Sequence, residues 1–250
     1  MSDSVTPASA NPDDQIRSHE STGVNTAHGH PTGVPVSRPG GIPGLHLVLE
    51  RSRELGFLGP GPIEAHIRNA EAFLPRLDSS IEGADRRLVV LDLGSGGGVP
   101  GLVVAACRPE LDVILVDAAQ RRTEFLTWAV QEMAMADRVR VERGRAEELA
   151  RSTHLRGVAD VVTSRSFGAP AVTAECAVGF LAGPGSVLLV SEPPDADPDR
   201  WPEEPLLRMG LRAGGTWTRG GATVREITVV SPCPDDLPRR VGVPSRRPAY

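Results

Sequence analysis

Apolar and polar positions divide the chain into two regimes. Residues 1–43 are rich in Ser, Thr, Pro, Gly and Asp and carry almost no periodic apolar residues. Such a segment buries too little surface to offset the entropy lost on ordering, which predicts a disordered tail. From residue 44 onward the apolar positions recur with the periods of regular elements. Leu45 to Leu55 (LHLVLERSREL) has helical spacing, with Gly56 as its stop. Pro62 to Leu74 reads as a second helix, with Ile63, Ile67 and Phe73 along one side. Leu88-Val89-Val90-Leu91 is a short apolar run closed by a glycine cluster, the pattern of a buried strand.

Strands and helices then alternate. The spacing predicts a helix over Val99 to Cys107, with Pro100 near its first turn where proline is tolerated. A strand over Asp112 to Val116, a helix over Arg121 to Met135 and a short strand over Val139 to Val141 follow. After a helical turn at Ala146 to Ala150 come a strand over Val158 to Thr163 and a helix over Ala171 to Leu181. Ser186 to Ser191 is a strand free of proline, as a central position requires. This rhythm predicts an α/β fold with a doubly wound, mostly parallel sheet and helices on both faces. Leu211 to Thr218 and Thr223 to Val230 are strand-like and joined by Arg219-Gly220-Gly221, which predicts an antiparallel edge hairpin. Prolines gather between Pro193 and Pro205, where a surface loop is expected. The expected organisation is one domain over 44–250: N-terminal helices over 44–80, a core over 88–231 and a basic tail over 232–250.

Composition narrows the chemistry. At 40% hydrophobic and 24% charged, the 250 residues are ordinary for a globular protein. The chain contains no lysine, so all 27 basic residues are arginine, and mechanisms needing a Schiff-base or general-base lysine are excluded. A net charge of −5 argues against a large RNA footprint while leaving room for a local arginine cluster. Cys107, Cys176 and Cys233 are far apart and form no Cys-x-x-Cys pair, so neither a zinc site nor a disulfide framework is expected. His28-Gly29-His30 reads as part of a polar tail rather than a metal site. No apolar run is long enough for a bilayer, and the N-terminus lacks the charged and apolar regions of a signal peptide. The expected setting is the cytoplasm, without metal or membrane, as a monomer.

The densest chemical signal is Leu91-Asp92-Leu93-Gly94-Ser95-Gly96-Gly97-Gly98-Val99-Pro100-Gly101. Glycines between a buried strand and a helix let the backbone approach a ligand, at the carboxyl edge where parallel sheets bind them. Gly96 to Gly101 also fits the dinucleotide fingerprint G-x-G-x-x-G, with Asp117 at about the expected distance. Asp92 decides between the two: a carboxylate before the first glycine repels a pyrophosphate and attracts the cationic end of S-adenosyl-L-methionine. Asp117 suits a pair of ribose hydroxyls in either case. Gly94, Gly96 and Gly98 are therefore candidate cofactor contacts, together with Asp92 and Asp117. After the third strand, Arg143-Gly144-Arg145-Ala146-Glu147-Glu148 forms the turn that cups adenine in such folds, which adds Arg145, Ala146 and Glu147. The bland alternative is an ordinary helix start with acids in its first turn.

With these pieces assembled, the chain resembles the small-subunit ribosomal RNA methyltransferase G family, also called glucose-inhibited division protein B. The matching residues are LDLGSGGGVPG at 91–101, RPELDVILVDAAQRRTEFL at 108–126, GRAEEL at 144–149, TSRSF at 163–167 and PRRVGVPSRRP at 238–248. The resemblance implies a Rossmann-like class I methyltransferase that methylates N7 of a guanine in 16S rRNA, with 16S rRNA or the small ribosomal subunit as partner. It also implies that Gly94, Val99, Ala146, Glu147 and Arg165 fall on cofactor-contacting positions. Two departures stand out. An arginine-histidine pair usual in the family is reduced to His66 in Ala65-His66-Ile67, and a Lys-Gly after the fifth strand is replaced by Glu192-Pro193.

Guanine N7 has an exposed lone pair and needs no strong base, so catalysis reduces largely to in-line alignment, worth roughly 7–11 kcal/mol. Arg165 is the candidate at the reacting centre, hydrogen-bonding guanine O6 or fixing the cofactor carboxylate. Phe167 has the chemistry to stack on a base, although a core role is the plainer expectation. Arg239, Arg240, Arg246 and Arg247 read as a phosphate-gripping stretch, with His66 as a further substrate contact. Arg138, Arg140, Arg143 and Arg145 form a second basic group diluted by Asp137 and Glu142. Competing readings are a small-molecule methyltransferase derived from the same family and a non-catalytic binding protein that retains the fold.

Overall fold

The structure, a computed structural model, describes residues 44–250. The expectation of a disordered segment over 1–43, with His28-Gly29-His30, lies outside the described residues. Seven strands form one sheet in the order β3-β2-β1-β4-β5-β7-β6. They are β1 (Val89–Leu93), β2 (Asp112–Asp117), β3 (Val139–Arg143), β4 (Val161–Ser164), β5 (Val187–Glu192), β6 (Leu211–Arg219) and β7 (Ala222–Val229). Strands β1 to β5 are parallel, and β7 runs antiparallel between β5 and β6. Gly220 and Gly221 turn the β6–β7 hairpin with φ of 60° and 86°, a double left-handed step that a side chain resists.

Alternation along the strands divides the core. Val90, Val113, Leu115, Val161 and Val187 face one side. There they pack against α1 (Leu45–Glu54), α2 (Ile63–Glu71), α3 (Leu74–Glu82), α4 (Gly101–Cys107) and α5 (Gln120–Glu132). Leu91, Leu93, Ile114, Val162 and Leu188 face the other side, toward α6 (Ala146–Leu149), α7 (Pro170–Val178) and α8 (Glu203–Arg208). A last short helix, α9 (Val243–Arg246), lies against α7.

Three expectations need correction. The second predicted helix ends earlier, at Glu71, and a further helix, α3, begins at Leu74 with Pro75 in its first turn. The predicted loop between Pro193 and Pro205 contains a 3-10 turn at Pro198–Arg200 and runs into α8, with Pro205 again inside a helix start. The helix predicted from Val99 begins at Gly101, leaving Pro100 as its cap. Among the described residues, no helix is long and apolar enough to cross a membrane.

Candidate functional site

The carboxyl ends of β1 and β2 build the floor of the site. The N–H groups of Gly94 and Ser95 both donate to the Val116 carbonyl at 2.9 Å, which ties the glycine loop to the neighbouring strand. Gly94 holds φ +74°, and a Cβ there would stand 2.7 Å from Phe167 Cδ2, so the ring lies directly against bare backbone. The Asp117 carboxylate is held by two backbone donors, Gly96 N–H at 2.9 Å and Ala119 N–H at 2.8 Å. Loop and carboxylate thus fix each other's position before any ligand arrives.

Beside them opens a cavity of about 490 Å³. Gly94, Asp117 and Ala118 form one side, Gly144 to Glu147 a second, and Ser166 to Ala169 a third. Cys176 of α7 lies in its wall, with Ser245 and Pro248 contributed by the tail. Glu147 is buried, and its Oε1 accepts from Gly242 N–H at 2.9 Å and Arg145 Nη2 at 3.2 Å. Burial alone would raise this carboxyl. The Gly242 N–H, its own N–H and Arg145 together outweigh that and hold it below the ordinary glutamate value.

On the other side of the loop lies a second group. Asp92 is buried, accepts Thr163 Oγ1–H on Oδ1 at 2.8 Å and Gly101 N–H on Oδ2 at 3.1 Å, and does not line the cavity. Burial pushes its carboxyl up to about 6 despite those donors. Arg165, one residue past β4, is half-buried and has no hydrogen bond or ion pair among the described residues; burial lowers its pKa, while Asp92 counteracts that. His66 on α2 is buried, with Nε2 at 3.2 Å from the Gly59 carbonyl and Nδ1 without a partner among the described residues. Burial, and then the nearby Arg165 charge, lower its pKa, so the ring is neutral near pH 7. A neutral imidazole donating from Nε2 leaves Nδ1 as a bare acceptor.

Of the residues expected to bind cofactor, the fold brings Gly94, Asp117, Arg145, Ala146 and Glu147 together on the cavity. Gly96, Gly98 and Val99 continue the loop alongside, whereas Asp92 and Arg165 sit across it. Phe167 walls the cavity and also packs against the core on that side of the sheet. In the tail, Arg240, Arg246 and Arg247 are exposed, but Arg239 is not free for phosphate. It donates to the fully buried Glu175 from Nε at 2.8 Å and Nη2 at 2.6 Å. Glu192 does not confront solvent as an unpaired acid either: it is buried, accepts Trp201 Nε1–H, and lies 2.8 Å from Arg200 Nη1. Sequence reasoning missed Ser245, Pro248 and Cys176 as cavity residues.

A family model described as rRNA small subunit methyltransferase G matches residues 63–193, which span the loop, Asp117, Glu147 and Arg165. The chain belongs to the rRNA small subunit methyltransferase G family. A methyltransferase G from Thermobifida fusca is 33% identical over 77% of this chain and 83% of the relative. The Parasynechococcus marenigrum protein of the same name is 31% identical over 69% and 72%, and the Acidothermus cellulolyticus one 40% identical over 54% and 56%. Among solved structures, cofactor-bound Rv0187 from MTB aligns with a TM-score of 0.52 at 19% identity, over 76% of this chain and 90% of that one. A mutant of MtNAS in complex with S-adenosylmethionine aligns at 0.50 and 11% identity, over 76% and 73%. At such identities the structural likeness speaks for the fold, a Rossmann-like α/β architecture.

Proposed function

We propose that this protein transfers a methyl group from S-adenosyl-L-methionine to N7 of a guanine in 16S rRNA. The observation that carries the reading is the cavity bounded by Gly94, Asp117 and Glu147 at the carboxyl edge of the sheet, with Arg165, unpaired among the described residues, across the glycine loop. Its volume lies in the roughly 300–1,000 Å³ range of small-molecule sites. The donor set also fits the group: Asp117 keeps acceptor capacity for a pair of hydroxyls, and a side chain at Gly94 would collide with Phe167. Bound there, the cofactor supplies an electrophilic methyl on a sulfonium.

The chain's own residues do the positioning. Gly94 to Val99 present backbone along the ligand, and Asp117 orients it. Arg165, charged at any accessible pH, offers a fork of donors to guanine O6, a phosphate or the cofactor carboxylate. The neutral His66 lies close enough to feel the Arg165 charge. No residue is required to remove a proton before attack, because N7 carries a free lone pair. Alignment in a preformed site supplies the rate.

A small-molecule acceptor is the second reading, favoured by the net charge of −5. Methyl transfer from radiolabelled cofactor to 30S subunits lacking the modification separates the two, with Arg165→Ala as control. Label at guanine N7, lost in the control, is the expected result. Absence of label from a chain that binds S-adenosylhomocysteine in calorimetry would reject the ribosomal acceptor.

A further inference from the structure

Residues 238–248 fold back across the cavity as a strap. Its first anchor is Glu175, a fully buried carboxylate in the apolar helix α7. Glu175 accepts the Arg239 backbone N–H at 2.9 Å in addition to the two guanidinium bonds, and Arg239 Nη2 also donates to the Arg247 carbonyl at 2.8 Å, closing the strap on itself. Its second anchor is Glu147, which takes the Gly242 N–H at 2.9 Å. Between the anchors, Ser245 and Pro248 reach the cavity wall while Arg240, Arg246 and Arg247 point to solvent.

We propose that this strap is a closing wall of the cofactor site, so that cofactor binding and RNA binding reinforce each other through it. The inference rests on reading the cavity as the S-adenosyl-L-methionine site. Most strap side chains between Arg240 and Ala249 are exposed, Pro244 being the buried one. Beyond the Arg239 anchor, which keeps Glu175 paired, a segment with so few apolar contacts opens locally at a free energy short of global unfolding. A ligand that touches both the core walls and the strap binds the closed form alone, and stabilises it by the factor 1 + [L]/Kd. The closed form is also the one that holds the three exposed arginines in a fixed array. By reciprocity, any gain in RNA affinity on adding cofactor equals the gain in cofactor affinity on adding RNA.

Limited trypsin digestion of the full chain reads strap opening directly, as cleavage after Arg240 and Arg246, followed by the masses of the C-terminal fragments. With S-adenosylhomocysteine at ten times its Kd, strap cleavage is expected to slow about tenfold. The Arg239→Gln variant, which loosens the first anchor, should be cut faster without ligand and bind S-adenosylhomocysteine more weakly. Should that variant fold poorly, Ser245→Trp offers a second route, filling the cavity edge and weakening S-adenosylhomocysteine with both anchors intact. In filter binding, 16S rRNA should bind more tightly when S-adenosylhomocysteine is present. Calorimetric binding of S-adenosylhomocysteine with unchanged strap cleavage and unchanged RNA affinity would overturn the strap and leave the cofactor reading standing. No S-adenosylhomocysteine binding to the unmodified chain would remove the cofactor reading, and the strap with it.

Discussion

Gly94 is where the backbone of the glycine loop, an aromatic side chain and the cavity meet, and Gly94→Ala probes all three. Two costs add. At φ +74° an L side chain is disfavoured by about 1–2 kcal/mol. The new Cβ would also lie 2.7 Å from Phe167 Cδ2. Carbon atoms rest at about 3.5–4.0 Å, so the ring must move by roughly an ångström, and overpacking of this kind costs about 1–3 kcal/mol. The single variant should therefore lose about 2–5 kcal/mol in urea unfolding. In a Phe167→Ala background the steric part disappears and the backbone part remains, so the double-mutant cycle should show a coupling of about 1–3 kcal/mol. Calorimetry with S-adenosylhomocysteine supplies the functional half: the displaced ring enters the cavity and affinity should fall at least tenfold. Additive stabilities would refute the contact as the source of the cost. A destabilised Gly94→Ala that still binds S-adenosylhomocysteine normally would refute the placement of Phe167 as a cavity wall.

Asp92 has its folded-state pKa raised from 3.8 to about 6, so its contribution to stability is fully present below 3.8 and is lost as pH rises through 6. Wild type should therefore lose about 3 kcal/mol relative to Asp92→Asn between pH 3.5 and 7, and parallel pH–stability curves would contradict this. Arg200→Met leaves the buried Glu192 carboxylate without its cation and should cost about 3–5 kcal/mol, most of it recovered in Glu192→Gln/Arg200→Met; equal losses in both variants would show that the pair is not coupled. Replacing Arg240, Arg246 and Arg247 together by Gln should reduce the slope of log affinity for RNA against log salt by about 2–3, and an unchanged slope would place the phosphate contacts elsewhere.

The sequence announces the sheet because its strands are buried on both faces and read as uninterrupted Val and Leu runs between glycines. The two helices that the spacing does not predict share one feature. Pro75 and Pro205 each sit in a first helical turn, where the missing N–H has no partner to lose. Asp117, Glu147 and the glycines were legible because local spacing along a βα unit fixes which residues end at the carboxyl edge. The strap was not, because Gly242 reaches Glu147 across 95 residues of sequence and Arg239 reaches Glu175 across 64. One signal was available: Glu175 is the lone acid in Pro-Ala-Val-Thr-Ala-Glu-Cys-Ala-Val, and a charge in so apolar a helix requires a partner. Glu192 carried the opposite lesson. Read alone it is a misplaced acid; in the fold it is a paired one.

The glycine loop stands between two halves that are otherwise built from different helices. Toward α1 and α2 lie Asp92, Thr163, Arg165 and His66; toward α6, α7 and the strap lies the cavity. In evolutionary terms the first half can drift toward a new acceptor without rewriting the walls of the second. The loop itself has no such freedom. Ser52 of α1 donates to the Gly97 carbonyl at 2.9 Å, and a Cβ at Gly97 would stand 2.6 Å from the Ser52 hydroxyl and 2.7 Å from the Phe57 carbonyl. Any heir of this chain that changes what it methylates inherits that seam unchanged, and variation should accumulate on either side of it.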